Sequence, residues 1–105
     1  MPLRSIVPSE ARRLIDQGAI LVDVREATEH ARENIPGARL QPLSSPDMPP
    51  VGAATGKPII FHCQSGARTS MNAGRLAARV PAGTDGYVLA GGIEAWRRAG
   101  LPTGR

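Results

Sequence analysis

Aromatic residues are nearly absent: Phe61, Tyr87 and Trp96 are the only three in 105 residues, so the core falls to Leu, Ile, Val and Ala. Cysteine occurs once, at Cys63, which excludes an intrachain disulfide and any zinc site built on cysteine pairs. Lysine also occurs once, at Lys57, so the net charge of +4 is carried by arginine. Those arginines form no run longer than Arg12-Arg13 or Arg97-Arg98 and have no aromatics interleaved for base stacking, so no nucleic-acid partner is expected. No apolar run approaches the roughly 20 residues of a membrane span, and the Met1-Pro2 start is unlike a signal peptide. The chain is expected to be soluble and cytoplasmic, with membrane attachment only through an anchor beyond Arg105. What remains is ordinary: 41% hydrophobic and 21% charged residues, the balance of one globular domain over 1–105.

Two short apolar runs dominate the pattern. Ile20-Leu21-Val22, ending in Asp23-Val24-Arg25, and Pro58-Ile59-Ile60-Phe61-His62 are unbroken, as in strands buried on both faces of a parallel sheet. Weaker strands are expected at Ser5–Val7, Arg39-Leu40 and Tyr87–Leu89. Helices are expected from Pro8, stopped by Gly18, over 27–33, over Thr69–Arg79 with Ala73, Leu76, Ala77 and Val80 facing inward, and over Ile93–Ala99. Residues 42–56 read as a proline-punctuated loop. Strands alternating with helices give an α/β domain, whose ligands sit beyond the carboxyl ends of the strands. Two polar clusters occupy such ends: Asp23-Val24-Arg25, and Cys63 with the residues after it.

Cys63 leaves a buried strand and meets a helix after a turn of small residues. Such a turn aims successive backbone N–H groups at one point, and with the positive end of the helix it favours a thiolate. Gly66 gives the turn its freedom and Arg68 adds a positive charge. A buried, inert cysteine is the plain alternative, but it needs neither the small residues nor the arginine.

Cys63-Gln64-Ser65-Gly66-Ala67-Arg68-Thr69 resembles the rhodanese active-site loop, C-x-x-G-x-R-[S/T]. Leu21–Glu26 with Glu29 and Ile35–Ala38 resembles the upstream rhodanese signature, and Leu89–Trp96 closed by Ala99–Pro102 the C-terminal one. The likeness runs over residues 5–102 and extends to bacterial single-domain rhodaneses, including membrane-tethered ones. It implies a three-layer domain with a five-stranded, mostly parallel sheet between helices. It also implies a sulfurtransferase in which Cys63 becomes a persulfide, bound by Gln64, Ser65, Gly66, Ala67, Arg68 and Thr69. In two respects the chain departs from the family: Glu33-Asn34 stands where Gly-His is usual, and Gln64 and Ala67 stand where thiosulfate-preferring members often carry a second loop cation. A dianionic donor is thereby disfavoured relative to a persulfide on a small thiol or a partner protein.

The remaining residues have structural readings. Asp23 and Glu29 are expected to pair with Arg25 or Arg68 and stiffen the loop. His62, adjacent to Cys63 on a strand, is expected to point to the opposite face as a packed histidine rather than serve as a base. His30 is expected at the surface, Asn34 in the turn before Ile35, and Trp96 between the last helix and the sheet. Gly91-Gly92 fits either a turn or a close backbone approach. The reaction expected is sulfur uptake by Cys63 and release to cyanide or a thiol, with no metal or organic cofactor. The rivals are a non-catalytic persulfide relay or redox sensor, and a cysteine phosphatase or arsenate reductase. The four residues between Cys63 and Arg68 count against the last, since phosphatases use five.

Overall fold

The two continuous apolar runs become the central strands of the sheet. In the computed structural model, which describes residues 3–45 and 56–105, they are β2 (Ile20–Asp23) and β4 (Ile59–His62), buried at every position. They pair in register from Ile20 with Ile59 to Asp23 with His62. The outer strands β1 (Arg4–Ile6), β3 (Arg39–Leu40) and β5 (Gly86–Leu89) complete the order β1-β5-β4-β2-β3. Every pairing is parallel, so the expected mostly parallel sheet is wholly parallel. Most of the proline-rich loop, residues 46–55, lies outside the described residues.

Both faces of the sheet are covered, which is why the central strands need no polar alternation. On one face α1 (Pro8–Asp16) and α5 (Gly92–Arg98) place Ala11, Ile93 and Trp96 against Leu21, Ile60 and Leu89. On the other, Leu76 of α4 (Ala73–Ala77) packs on Ile20, Val22, Ile59 and Phe61. Trp96 fills the place expected of it and donates its indole N–H to the Pro102 carbonyl at 2.8 Å. Alternation along β4 sends Cys63 to the α4 face and His62 to the α1/α5 face.

The helix expected over Thr69–Arg79 is two short helices, α3 (Ala67–Met71) and α4, and of the four residues expected to face inward only Leu76 is fully buried. The break is at Asn72, whose backbone (φ −118°, ψ 21°) leaves the helical region. Its side chain donates to the Arg68 carbonyl at 2.8 Å, duplicating its own backbone N–H bond. A short amide side chain that competes for helix carbonyls is a natural stop. The positive end before Cys63 therefore belongs to a five-residue helix, and individual amides matter more than a long dipole.

Close approach is what Gly91-Gly92 provides. The first N–H groups of α5 donate to the active loop: Ile93 to the Cys63 carbonyl at 3.0 Å and Glu94 to the Gln64 carbonyl at 3.1 Å. A Cβ on Gly92 would stand 2.5 Å from the Cys63 oxygen and 2.6 Å from the Gln64 carbonyl carbon. Gly92 also has φ +61°, a backbone that costs an L-residue about 1–2 kcal/mol.

Gly92→Ala should therefore lower Tm by roughly 5 °C or more and speed exchange of the Ile93 and Glu94 amides. A thermal melt and hydrogen exchange matching the parent would show that α5 does not hold the loop.

Candidate functional site

The end of β4 delivers Cys63 into the core, 1% exposed. Gly66, in left-handed backbone at φ +95°, turns the chain so that its own N–H reaches Cys63 Sγ at 3.1 Å. A Cβ there would sit a tight 3.2 Å from the Gly91 nitrogen, on a left-handed backbone that already favours glycine. Thr69 is buried; its hydroxyl donates to the Gly66 carbonyl at 3.1 Å and lies 3.8 Å from Sγ. Ser65 and Ala67 are exposed and keep the rim small. A groove of about 420 Å³ runs past Ser65, Gly66, Ala67 and Thr69 toward the ends of β1 and β5.

Gln64 faces sideways. Its Oε1 accepts from Arg25 Nη1 at 3.0 Å and its Nε2 donates to Glu94 Oε2 at 3.3 Å, so it straps the loop between β2 and α5. Arg25 is itself buried, its fork closed on Asp23: Nε to Oδ1 at 3.0 Å and Nη2 to Oδ2 at 2.9 Å. Nη2 also reaches the Glu33 carbonyl at 2.6 Å. Burial alone pushes the Asp23 carboxyl up, but hydrogen bonds from Arg25 and His30, with His62 nearby, hold it below its ordinary value. Asp23 thus remains a carboxylate, and breaking this buried pair from one side should cost about 3–5 kcal/mol.

Arg68 makes the second pair expected of it, closing both Nη atoms on Glu29 at 2.8 and 2.7 Å. Glu29 in turn forms a reciprocal capping box with Glu26 at the start of α2 (Ala27–Arg32). The Arg68 bond holds the Glu29 carboxyl down to about 2, from 4.5. Both guanidinium groups at the loop are therefore already occupied by carboxylates, Arg25 by Asp23 and Arg68 by Glu29.

His30 is not the surface residue expected. Its Nδ1 lies 2.8 Å from Asp23 Oδ2, and since a carboxylate only accepts, Nδ1 carries the proton. Nothing in the sequence signals this contact, which forms where α2 brings His30 to the carboxyl end of β2. Asn34 caps α2, donating to the His30 carbonyl at 2.9 Å, and pairs through its backbone with Gly104. Glu94 was likewise absent from the expected site and enters it through the α5 start, where Gly92 takes the close-approach reading of the two expected for Gly91-Gly92. Among the described residues no three His, Cys, Asp or Glu side chains converge as a metal-ligand set. No helix there is long and apolar enough to cross a membrane.

Known proteins with this pattern are numerous. The family model for the rhodanese-like domain matches residues 7–99. An uncharacterized Synechocystis protein is 40% identical over 101 residues, covering 94% of this chain, which spans only 55% of that relative's length. Thiosulfate sulfurtransferase GlpE of Pseudomonas savastanoi pv. phaseolicola is 35% identical over 98 residues, covering 90% of this chain and 87% of that protein. A rhodanese-like domain protein of Staphylococcus aureus superposes with a TM-score of 0.70 at 28% identity, covering 90% of this chain and 91% of the other.

Removing either half of the outer pair should loosen the loop. Arg68→Ala and Glu29→Gln should each destabilise by about 1 kcal/mol, and the double variant by little more than either single one. Fully additive losses would show that the pair does not act as a unit. The folded Glu29 carboxyl titrates below its unfolded value, so its contribution is complete above pH 4.5 and disappears as pH falls toward about 2. Acid melts of wild type and Glu29→Gln should converge across that window; curves that stay parallel would contradict this.

Proposed function

As a member of the rhodanese-like domain family, this chain is, we propose, a sulfurtransferase that carries sulfane sulfur on Cys63. The observation that supports this most directly is the Gly66 N–H at 3.1 Å from Cys63 Sγ, inside a C-x4-R loop at a strand's carboxyl end. An amide donor at that position stabilises negative charge on sulfur. The family's named thiosulfate sulfurtransferases suggest the donor chemistry to test first.

Two displacements complete the cycle. The Cys63 thiolate attacks the outer sulfur of thiosulfate, the sulfur–sulfur bond breaks, and sulfite leaves with the bonding pair. Cyanide or a thiolate then attacks the outer sulfur of Cys63-S-S⁻, and the Cys63 thiolate leaves, restored. With an organic persulfide as donor the first leaving group is the parent thiolate. Electrons balance in each step without a cofactor, and the sequence Gln64 to Thr69 surrounds the transferred sulfur. Asp23, Arg25 and Glu29 support the loop from behind.

The charges around the loop favour the organic donor. Among the described residues Arg25 and Arg68 already hold carboxylates, so neither is a free cation for a dianion. A lone thiol that cycles through a persulfide suits a reducing, cytoplasmic setting.

Incubation with glutathione persulfide should add one sulfur atom to the intact mass, reversed by dithiothreitol and absent in Cys63→Ser. Thiosulfate should do so less completely. No mass change with either donor would rule out the sulfurtransferase reading, and labelling without steady-state thiocyanate formation would make the protein a relay instead.

A further inference from the structure

The reacting cysteine leaves one buried group beside it unused. His62 is fully buried on the face opposite Cys63 Sγ, and its two ring nitrogens both confront oxygens. Nδ1 lies 3.2 Å from the Cys63 carbonyl; Nε2 has no hydrogen-bond partner among the described residues and stands 3.9 Å from Asp23 Oδ2. A neutral imidazole has one proton for these two acceptors.

Three observations assign that proton. The carbonyl is the closer oxygen, within hydrogen-bond range, whereas 3.9 Å is outside it. Asp23 Oδ2 is already served by Arg25 Nη2 at 2.9 Å and His30 Nδ1 at 2.8 Å, so a further donor gains little there. Burial, together with the positive charge of Arg25 and the nearby His30, keeps the ring neutral against the pull of Asp23. Asp23, Arg25 and His30 are the titratable or charged side chains that face the ring across the strand ends.

On the reading that Cys63 carries sulfur, we propose that His62 is a positioning residue. Its Nδ1–H fixes the Cys63–Gln64 peptide plane and so the loop that holds the transferred sulfur. The Cys63 carbonyl then receives two donors from the same buried face, His62 Nδ1–H and the Ile93 N–H at 3.0 Å. Turning that carbonyl would turn the Gln64 N–H with it, because the peptide unit is rigid. The turn to Gly66, whose N–H reaches Sγ, starts from this plane. The bare Nε2 is the cost: a buried acceptor with no donor, tolerated because the other nitrogen holds the loop.

Asparagine and glutamine at position 62 separate this role from mere packing. The amide nitrogen of Asn falls near the place of Nδ1, and that of Gln near the place of Nε2. His62→Asn should keep sulfur loading of Cys63 and its alkylation by iodoacetamide within a few-fold of wild type. His62→Gln should slow both by about tenfold, the worth of one hydrogen bond, with a comparable fall in Tm for the two variants. In unmodified protein, ring ¹⁵N spectra should show His62 protonated at Nδ1 at neutral pH. A ring protonated at Nε2, or equal rates for the Asn and Gln variants, would overturn the proposal. Alkylation and ring spectra need no sulfur transfer, so failure of wild type to load sulfur would sink the sulfurtransferase reading alone.

Discussion

The Cys63 loop is held by the start of the last helix. Ile93 and Glu94 aim N–H groups that have no partner within α5, and the carbonyls of Cys63 and Gln64 accept them. Each side solves the other's problem: the helix start gains acceptors, and a loop leaving a buried strand gains donors. The contact requires bare backbone at Gly92, since any side-chain carbon would overlap the Cys63 carbonyl. With the loop carbonyls facing α5, the loop's own amides are free to turn the other way, and Gly66 N–H finds the sulfur. Chemistry on one side of the loop therefore depends on hydrogen bonds made on the other.

Charge around this loop follows the same economy. Arg25 is buried at 2% exposure, which is tolerable only because Asp23, the Glu33 carbonyl and Gln64 satisfy its fork. Arg68 is tied to Glu29 on α2. Both arginines brace the loop from neighbouring elements, and in doing so they surrender most of the field they would otherwise offer an anion. On the proposed function, stabilisation of negative sulfur falls to amide donors such as the Gly66 N–H, short-ranged and sensitive to alignment. Such a site is better matched to a small charge on a single sulfur atom than to a dianion.

Much of this was legible in the chain. Ile20–Val22 and Ile59–Phe61 are apolar without interruption, and only a strand covered on both faces accommodates that. The spacing of Cys63, Gly66 and Arg68 marks a turn that aims backbone amides at the cysteine, and the Gly66 N–H does reach Sγ. The pairing of Asp23 and Glu29 with Arg25 and Arg68 was readable as a set of four charges, though not as two specific couples. Asn72 reads as an ordinary polar position in a helix; that it ends one depends on its side chain competing for the Arg68 carbonyl.

Local pattern determined the strands, the order of helices and strands, and the residue proposed to carry sulfur, because periodicity and turn composition act over a few neighbouring residues. Tertiary structure alone decided what converges on that residue. Asp23 and His62 are 39 positions apart in sequence yet meet as register partners in adjacent strands. His30 joins them only because α2 brings it to the end of β2, and Glu94 meets Gln64 only because β5 returns beside β4. The Asp23–His62 and Gln64–Glu94 contacts join residues distant along the chain, set by how parallel strands align, and no short stretch of sequence encodes the alignment.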